Sequence, residues 1–113
     1  MKKDVVIKVV IVEPHKPARV ELIPNSLETL QEIVGGYIEC VREKDFDIII
    51  NEEGKLMDLE PNFDLYNGLD FIAGTAIFSG VDYDSGEFKS LTDEQIKFIS
   101  KIFEGRNKVD TTN

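Results

Sequence analysis

Apolar residues along this chain recur with two different periods, and the change from one to the other marks out its elements. From Val5 to Val12 the residues are almost all Val and Ile, broken only by Lys8. Such a run suits a strand buried on both faces. Pro14-His15-Lys16-Pro17 then makes a turn, because proline cannot donate to a ladder. Ala18 to Ile23 alternates, with Val20 and Leu22 on one side and Arg19, Glu21 and Ile23 on the other. That pattern predicts a second strand, paired with the first as a hairpin. The period changes at Leu27: Leu27, Leu30, Ile33 and Val34 share one helical face. Asn25 or Ser26 caps this helix, and Glu28, three residues after Asn25, comes close to a capping box. Gly35-Gly36 ends it, since glycine enters the left-handed conformation without a Cβ clash.

Strand-like runs return at Tyr37–Val41 and Phe46–Ile50. Asn51-Glu52-Glu53-Gly54-Lys55 reads as a turn with Gly54 at positive φ, and Leu56-Met57 as the start of a return strand. Pro61 to Gly68 is less regular, with a short helical turn expected around Phe63 to Tyr66. Phe71 to Phe78 reads as one apolar strand in which Gly74 marks a bulge or a close backbone approach. Asp84-Ser85-Gly86 is a tight turn, followed by a short edge strand at Glu87–Lys89. The last helix is the clearest element. Thr92 caps it, Gln95 completes a capping box, and Asp93 and Glu94 favour its positive end. Its buried stripe is Ile96, Ile99, Ile102 and Phe103, and Gly105 ends it.

The order ββα, several strands, then α predicts an α+β fold: a mixed, mainly antiparallel twisted sheet of five to six strands with two helices packed on it. Residues 4–105 read as a single domain and 106–113 as a frayed C-terminal tail. Leu30, Ile33 and Val34 are expected to pack with Ile99, Ile102 and Phe103 against strands around Val9, Ile49 and Ile77.

Charge changes this picture more than composition does. The chain of 113 residues carries a net charge of −9. Residues 1–42 hold six acidic and six basic side chains; residues 43–70 hold nine and two; residues 71–113 hold seven and five. Most of the acidity thus sits in one central stretch. An acidic surface repels phosphates, so direct nucleic-acid binding is not expected, whereas a basic protein surface would be attracted. No apolar run approaches the ~20 residues that cross a bilayer, and no membrane contact is expected. Lys2-Lys3 before an apolar run loosely resembles a signal peptide, but Lys8 interrupts the run and no small-residue cleavage site follows. Cys40 is the only cysteine. It forms no internal disulfide, which suits a reducing cytoplasm, and is expected to be a small buried hydrophobe.

Few residues invite chemistry. His15 lies between prolines in an expected surface turn, with nothing to make it part of a nucleophilic site. Asp82-Tyr83-Asp84-Ser85-Gly86-Glu87 superficially resembles a calcium loop, but glycine falls at the fifth position and Asp93 at the twelfth, where an EF-hand needs glycine sixth and glutamate twelfth. Gly35-Gly36 ends a helix, and a helix C-terminus is the wrong pole for phosphate. Glu52 and Glu53 are adjacent on a turn, an arrangement that keeps both ionised in water rather than splitting them for acid–base work. No metal, cofactor or catalytic residue is expected.

One resemblance spans roughly residues 4–104. The run Leu27-Glu28-Thr29-Leu30-Gln31-Glu32-Ile33-Val34-Gly35-Gly36-Tyr37-Ile38-Glu39 precedes Asn51-Glu52-Glu53-Gly54-Lys55-Leu56. Pro61-Asn62, Ile72-Ala73-Gly74-Thr75 and Ser90-Leu91-Thr92-Asp93-Glu94-Gln95 follow. This series resembles the domain-of-unknown-function family 3846, small proteins of phages, plasmids and integrative elements. The VGGYIE and NEEGK segments are its most specific parts. That family is in turn distantly similar to ArdA-type antirestriction proteins, acidic imitators of DNA. This chain is shorter and less acidic than those mimics, which does not suit imitation of a full duplex. The resemblance implies a cytoplasmic protein of a bacterial host cell that inhibits a defence enzyme of antirestriction or anti-CRISPR type.

The charge pattern adds the expected contact residues: Glu52, Glu53, Asp58, Glu60 and Asp64, facing a basic protein surface such as a nucleic-acid groove. The alternative is a small-ligand or nucleotide-binding module without catalysis, with Asn51, Lys55 and Asn62 lining a pocket. Pairing of two copies into a homodimer stays open.

Overall fold

The computed structural model describes residues 5–107. In chain order the elements are β1 (Val6–Val12), β2 (Arg19–Pro24), α1 (Leu27–Val34), β3 (Ile38–Arg42), β4 (Asp47–Asn51), β5 (Pro61–Leu65), β6 (Asp70–Ala73), β7 (Ala76–Val81), β8 (Phe88–Lys89) and α2 (Asp93–Ile102). The main sheet runs β2-β1-β7-β4-β3, and β8 also pairs with β7. β5 and β6 form a separate two-stranded sheet. Every ladder among the described residues is antiparallel. The α+β class and its mainly antiparallel sheet with two helices are as expected.

β1 shows why an unbroken Val/Ile run marks a central strand. Ile7, Val9 and Ile11 pack with Ile23, Leu30, Val34, Ile49 and Ile77 beneath α1. Val10 and Val12 point the other way, into a core with Ile48, Phe78, Leu91, Ile99 and Phe103. The two helices therefore lie on opposite faces, and the expected contact between their apolar stripes does not form. Each helix stripe has its own half of the alternating strand residues. The β5–β6 hairpin joins the α2 side through Phe63 and Ile72, and Phe63, Phe78 and Phe103 meet there with ring centroids 5.1–5.8 Å apart.

Several local expectations change. Of the two expected caps of α1, Ser26 is the one used: its Oγ accepts the Thr29 N–H at 3.1 Å. Asn25 instead donates to the Phe88 carbonyl at 3.0 Å. Leu56-Met57 is not a strand, because the Met57 N–H bonds back to the Glu53 carbonyl and Asp58 N–H to that of Lys55, winding the segment into turns. Gly54 does not have positive φ; it is needed because a Cβ there would lie 2.7 Å from the Ala73 carbonyl oxygen. Pro61–Leu65 is extended, and the helical turn comes after it, at Tyr66–Gly68. The run Phe71–Phe78 divides at Gly74, whose φ of 88° turns the chain from the small sheet into the large one. Cys40 is exposed, since β3 is an edge strand. Ile102 is exposed too. Arg106 is anchored rather than frayed: it donates to the Asn62 side chain at 2.9 Å and to the Glu13 carbonyl at 3.1 Å. The rest of the expected tail, residues 108–113, lies outside the described residues.

Candidate functional site

Folding breaks up the acidic central stretch. Asp47 is buried on β4 and bonded to Arg42 beside it on β3. Asp70 on β6 is bonded to Lys55, and that bond together with the Phe71 N–H holds its carboxyl below the usual range. Glu43 and Asp45 sit at the β3–β4 turn, which the Tyr83 hydroxyl and the Gln95 amide pin through the carbonyls of Lys44 and Asp45. Glu52 and Glu53 stand at the other end of β4, a strand's length away. Strands alternate and reverse at each turn, so neighbours in sequence become opposite ends of the molecule.

Among the expected contact residues, Glu52, Glu53 and Asp58 stay together and exposed on the turn after β4, none within ion-pair distance of a cation among the described residues. Glu60 is exposed at the end of the same loop and meets His15 Nε2 at 2.7 Å. Asp64 is exposed on β5 but lines a different hollow, with Asn62, Ile102, Phe103 and Arg106.

Beside Glu52 lies a cleft of about 330 Å³ between the outer strands of the main sheet and the β5–β6 hairpin. Val41, Ile50, Leu65 and Ile72 contribute apolar lining; Glu39, Glu52 and Asp70 contribute carboxylates. Leu56, 86% exposed, stands on its rim. Lys55 also lines the cleft, but its ammonium is bonded to Asp70 and lies 4.8 Å from the Phe71 ring centroid. Glu39 escaped the sequence reading. Its signal was its place on a strand, two residues from the partly buried Val41 and so on the same face.

The three residues of the ligand-binding alternative do not converge. Asn51 is buried and lines the cleft, but its amide donates to the Val34 carbonyl at 3.2 Å and accepts the Glu53 N–H at 2.7 Å. Asn62 is buried elsewhere, donating at 2.8 Å to the carbonyls of both Val12 and Gly74. Both amides are occupied with backbone groups, as buried amides must be.

A match to the family described as Domain of unknown function (DUF3846) covers residues 7–104. The chain belongs to the DUF3846 family. No curated protein and no solved structure matches it. In this DUF3846 protein the VGGYIE and NEEGK segments prove to be neighbours. A Cβ on Gly36 would lie 2.9 Å from the Asn51 amide nitrogen, and Glu52 N–H donates to the Tyr37 carbonyl at 2.8 Å. VGGYIE and NEEGK thus interlock at the end of α1, and Glu39 from the one and Glu52 from the other line the same cleft.

Proposed function

We propose that this protein binds a basic surface of another protein through the end of the molecule that carries Glu39, Glu52, Glu53 and Asp58, and so inhibits it. The observation that carries this reading is that Glu39 and Glu52, exposed and without an ion-pair partner among the described residues, line an apolar-lined cleft, with Glu53 and Asp58 exposed on the adjoining turn. Such a surface offers both halves of what a lysine or arginine side chain needs: a charge for its head and hydrocarbon for its stem. A basic surface that normally holds nucleic acid is the natural complement of these carboxylates. The resemblance to antirestriction proteins supports a defence enzyme, of antirestriction or anti-CRISPR type, as the inhibited partner. In this reading the protein acts by occupation and has no catalytic residue. Glu60 and Asp64 belong to the margin of the contact rather than its centre.

The test is expression alongside candidate restriction and CRISPR-type systems, measuring phage plating and DNA cleavage, with a pull-down at low and high salt. Protection by the unaltered protein and its loss in a Glu52→Lys/Glu53→Lys variant would support the reading. No protection against any system, with no salt-sensitive protein partner, would overturn it.

A further inference from the structure

β3 ends the main sheet with nothing paired to its outer side among the described residues. Two backbone bonds fix which groups face that side. The Glu52 N–H bonds to the Tyr37 carbonyl at 2.8 Å, and the Glu43 N–H to the Phe46 carbonyl at 2.9 Å. Antiparallel ladders alternate, so Tyr37, Glu39, Val41 and Glu43 bond toward β4. Ile38, Cys40 and Arg42 must then turn their N–H and C=O groups outward.

The opposite edge differs. The Asn25 N–H bonds to the Val5 carbonyl, so Val20, Leu22 and Pro24 face outward on β2. That edge is bracketed by Pro17 and Pro24, which keep strand ends from pairing. β3 holds no proline, and its Cys40 is exposed. The alternation of β3 also decides what an added strand would meet. Glu39 and Val41 lie on the cleft side, where Glu52 and Asp70 complete the carboxylates.

We propose that the partner contributes an extended segment that adds to β3 as a further strand, with basic side chains at alternate positions reaching over Val41 toward Glu39 and Glu52. Main-chain bonds to Ile38, Cys40 and Arg42 would supply affinity, and the alternating cations the selectivity. This rests on the basic-partner reading above and specifies how that partner docks. A second copy of this chain suits the edge less well, because each copy brings a net charge of −9.

The probe is a short acetylated peptide alternating lysine and threonine, added to the isotope-labelled whole protein. Amide hydrogen exchange at Ile38, Cys40 and Arg42 should slow on binding, while Glu39 and Val41, already bonded within the sheet, should change little. Cys40→Pro removes one outward N–H and leaves the β4 ladder whole. It should weaken binding by roughly three- to tenfold, with the melting temperature checked in the same sample. Binding that perturbs only Glu52 and Glu53 and ignores Cys40→Pro would overturn strand addition and leave the acidic-surface reading standing. No binding at low salt would count against both. Slow exchange at the three amides without peptide, together with a doubled mass, would show the edge filled by a second copy and would also overturn the proposal.

Discussion

Asn51 ties three parts of the chain together with one amide: the end of α1 at Val34, the turn at Glu53 and the close approach of Gly36. Removing it leaves the Val34 carbonyl and the Glu53 N–H without that partner, so Asn51→Ala should cost about 1–3 kcal/mol. Gly36→Ala should also destabilise, because the amide nitrogen in its way is held in place. The two changes should not add: in an Asn51→Ala background the extra methyl finds room, and a double-mutant cycle by urea denaturation should give a clear coupling energy. Nothing in the sequence marks such a role. Asn51 and Asn62 read as candidate ligand contacts; the carbonyls of Val34 and Val12 to which they donate lie 17 and 50 residues away. A bond between distant residues leaves no local pattern, whereas the cap at Ser26 and the left-handed Gly35 were legible because their partners lie within one turn.

Glu13 carries a separate, pH-dependent contribution. Its bond to Arg19 holds its carboxyl below the ordinary range. A lowered folded pKa means stability that is complete above the unfolded value of about 4.3 and lost as pH falls through the folded one. Glu13 and Arg19 are both partly solvated, so the contribution stays below about 1 kcal/mol. Glu13→Gln should therefore lower the urea midpoint slightly at about pH 7 and scarcely at all near about pH 3.

At the scale of elements, α2 separates burial from apparent amphipathicity. Ile99 is 0% exposed and Ile102 is 56% exposed. Successive helical residues turn by about 100°, so Ile96, Ile99 and Phe103 share the sheet-facing arc while Ile102 falls on its flank. Ile99→Ala should destabilise by about 2–5 kcal/mol, and Ile102→Ala by less than about 0.5 kcal/mol, in the same denaturation assay. Thr92 holds the start of the helix, with its Oγ accepting the Gln95 N–H at 3.1 Å while Gln95 Oε1 accepts the Thr92 N–H at 2.8 Å. Thr92→Ala should cost about 1 kcal/mol. Periodicity located both helices, both hairpin strands at the N-terminus and β4. It could not say that α1 and α2 take opposite faces, because a strand buried on both sides presents the same residues whichever face each helix covers. It also joined β6 to β7, since one glycine in an apolar run reads equally as a bulge or as a corner between sheets.

For the whole molecule, the charge total predicted attraction to basic surfaces, but only the fold divided the acidic stretch into two ends. With Glu52 and Glu53 exposed on a turn, reversing both should leave the melting temperature nearly unchanged. Association with a basic partner should slow, most strongly at low ionic strength, as stopped-flow measurements over a salt series would register.

The position of β7 has a consequence for synthesis. It lies between β1 and β4 and joins the N-terminal hairpin β1–β2 to the β3–β4 hairpin. A chain emerging from the ribosome carries both hairpins long before Ala76–Val81 appears, and until then nothing in the main sheet connects them. Phe78, which faces Val10 on one side and Ile48 on the other, arrives with the residue that closes the gap. The main sheet can close only once β7 has been made, and a nascent chain halted before it would leave the β7-facing edges of β1 and β4 unpaired, open to whatever strand they met first.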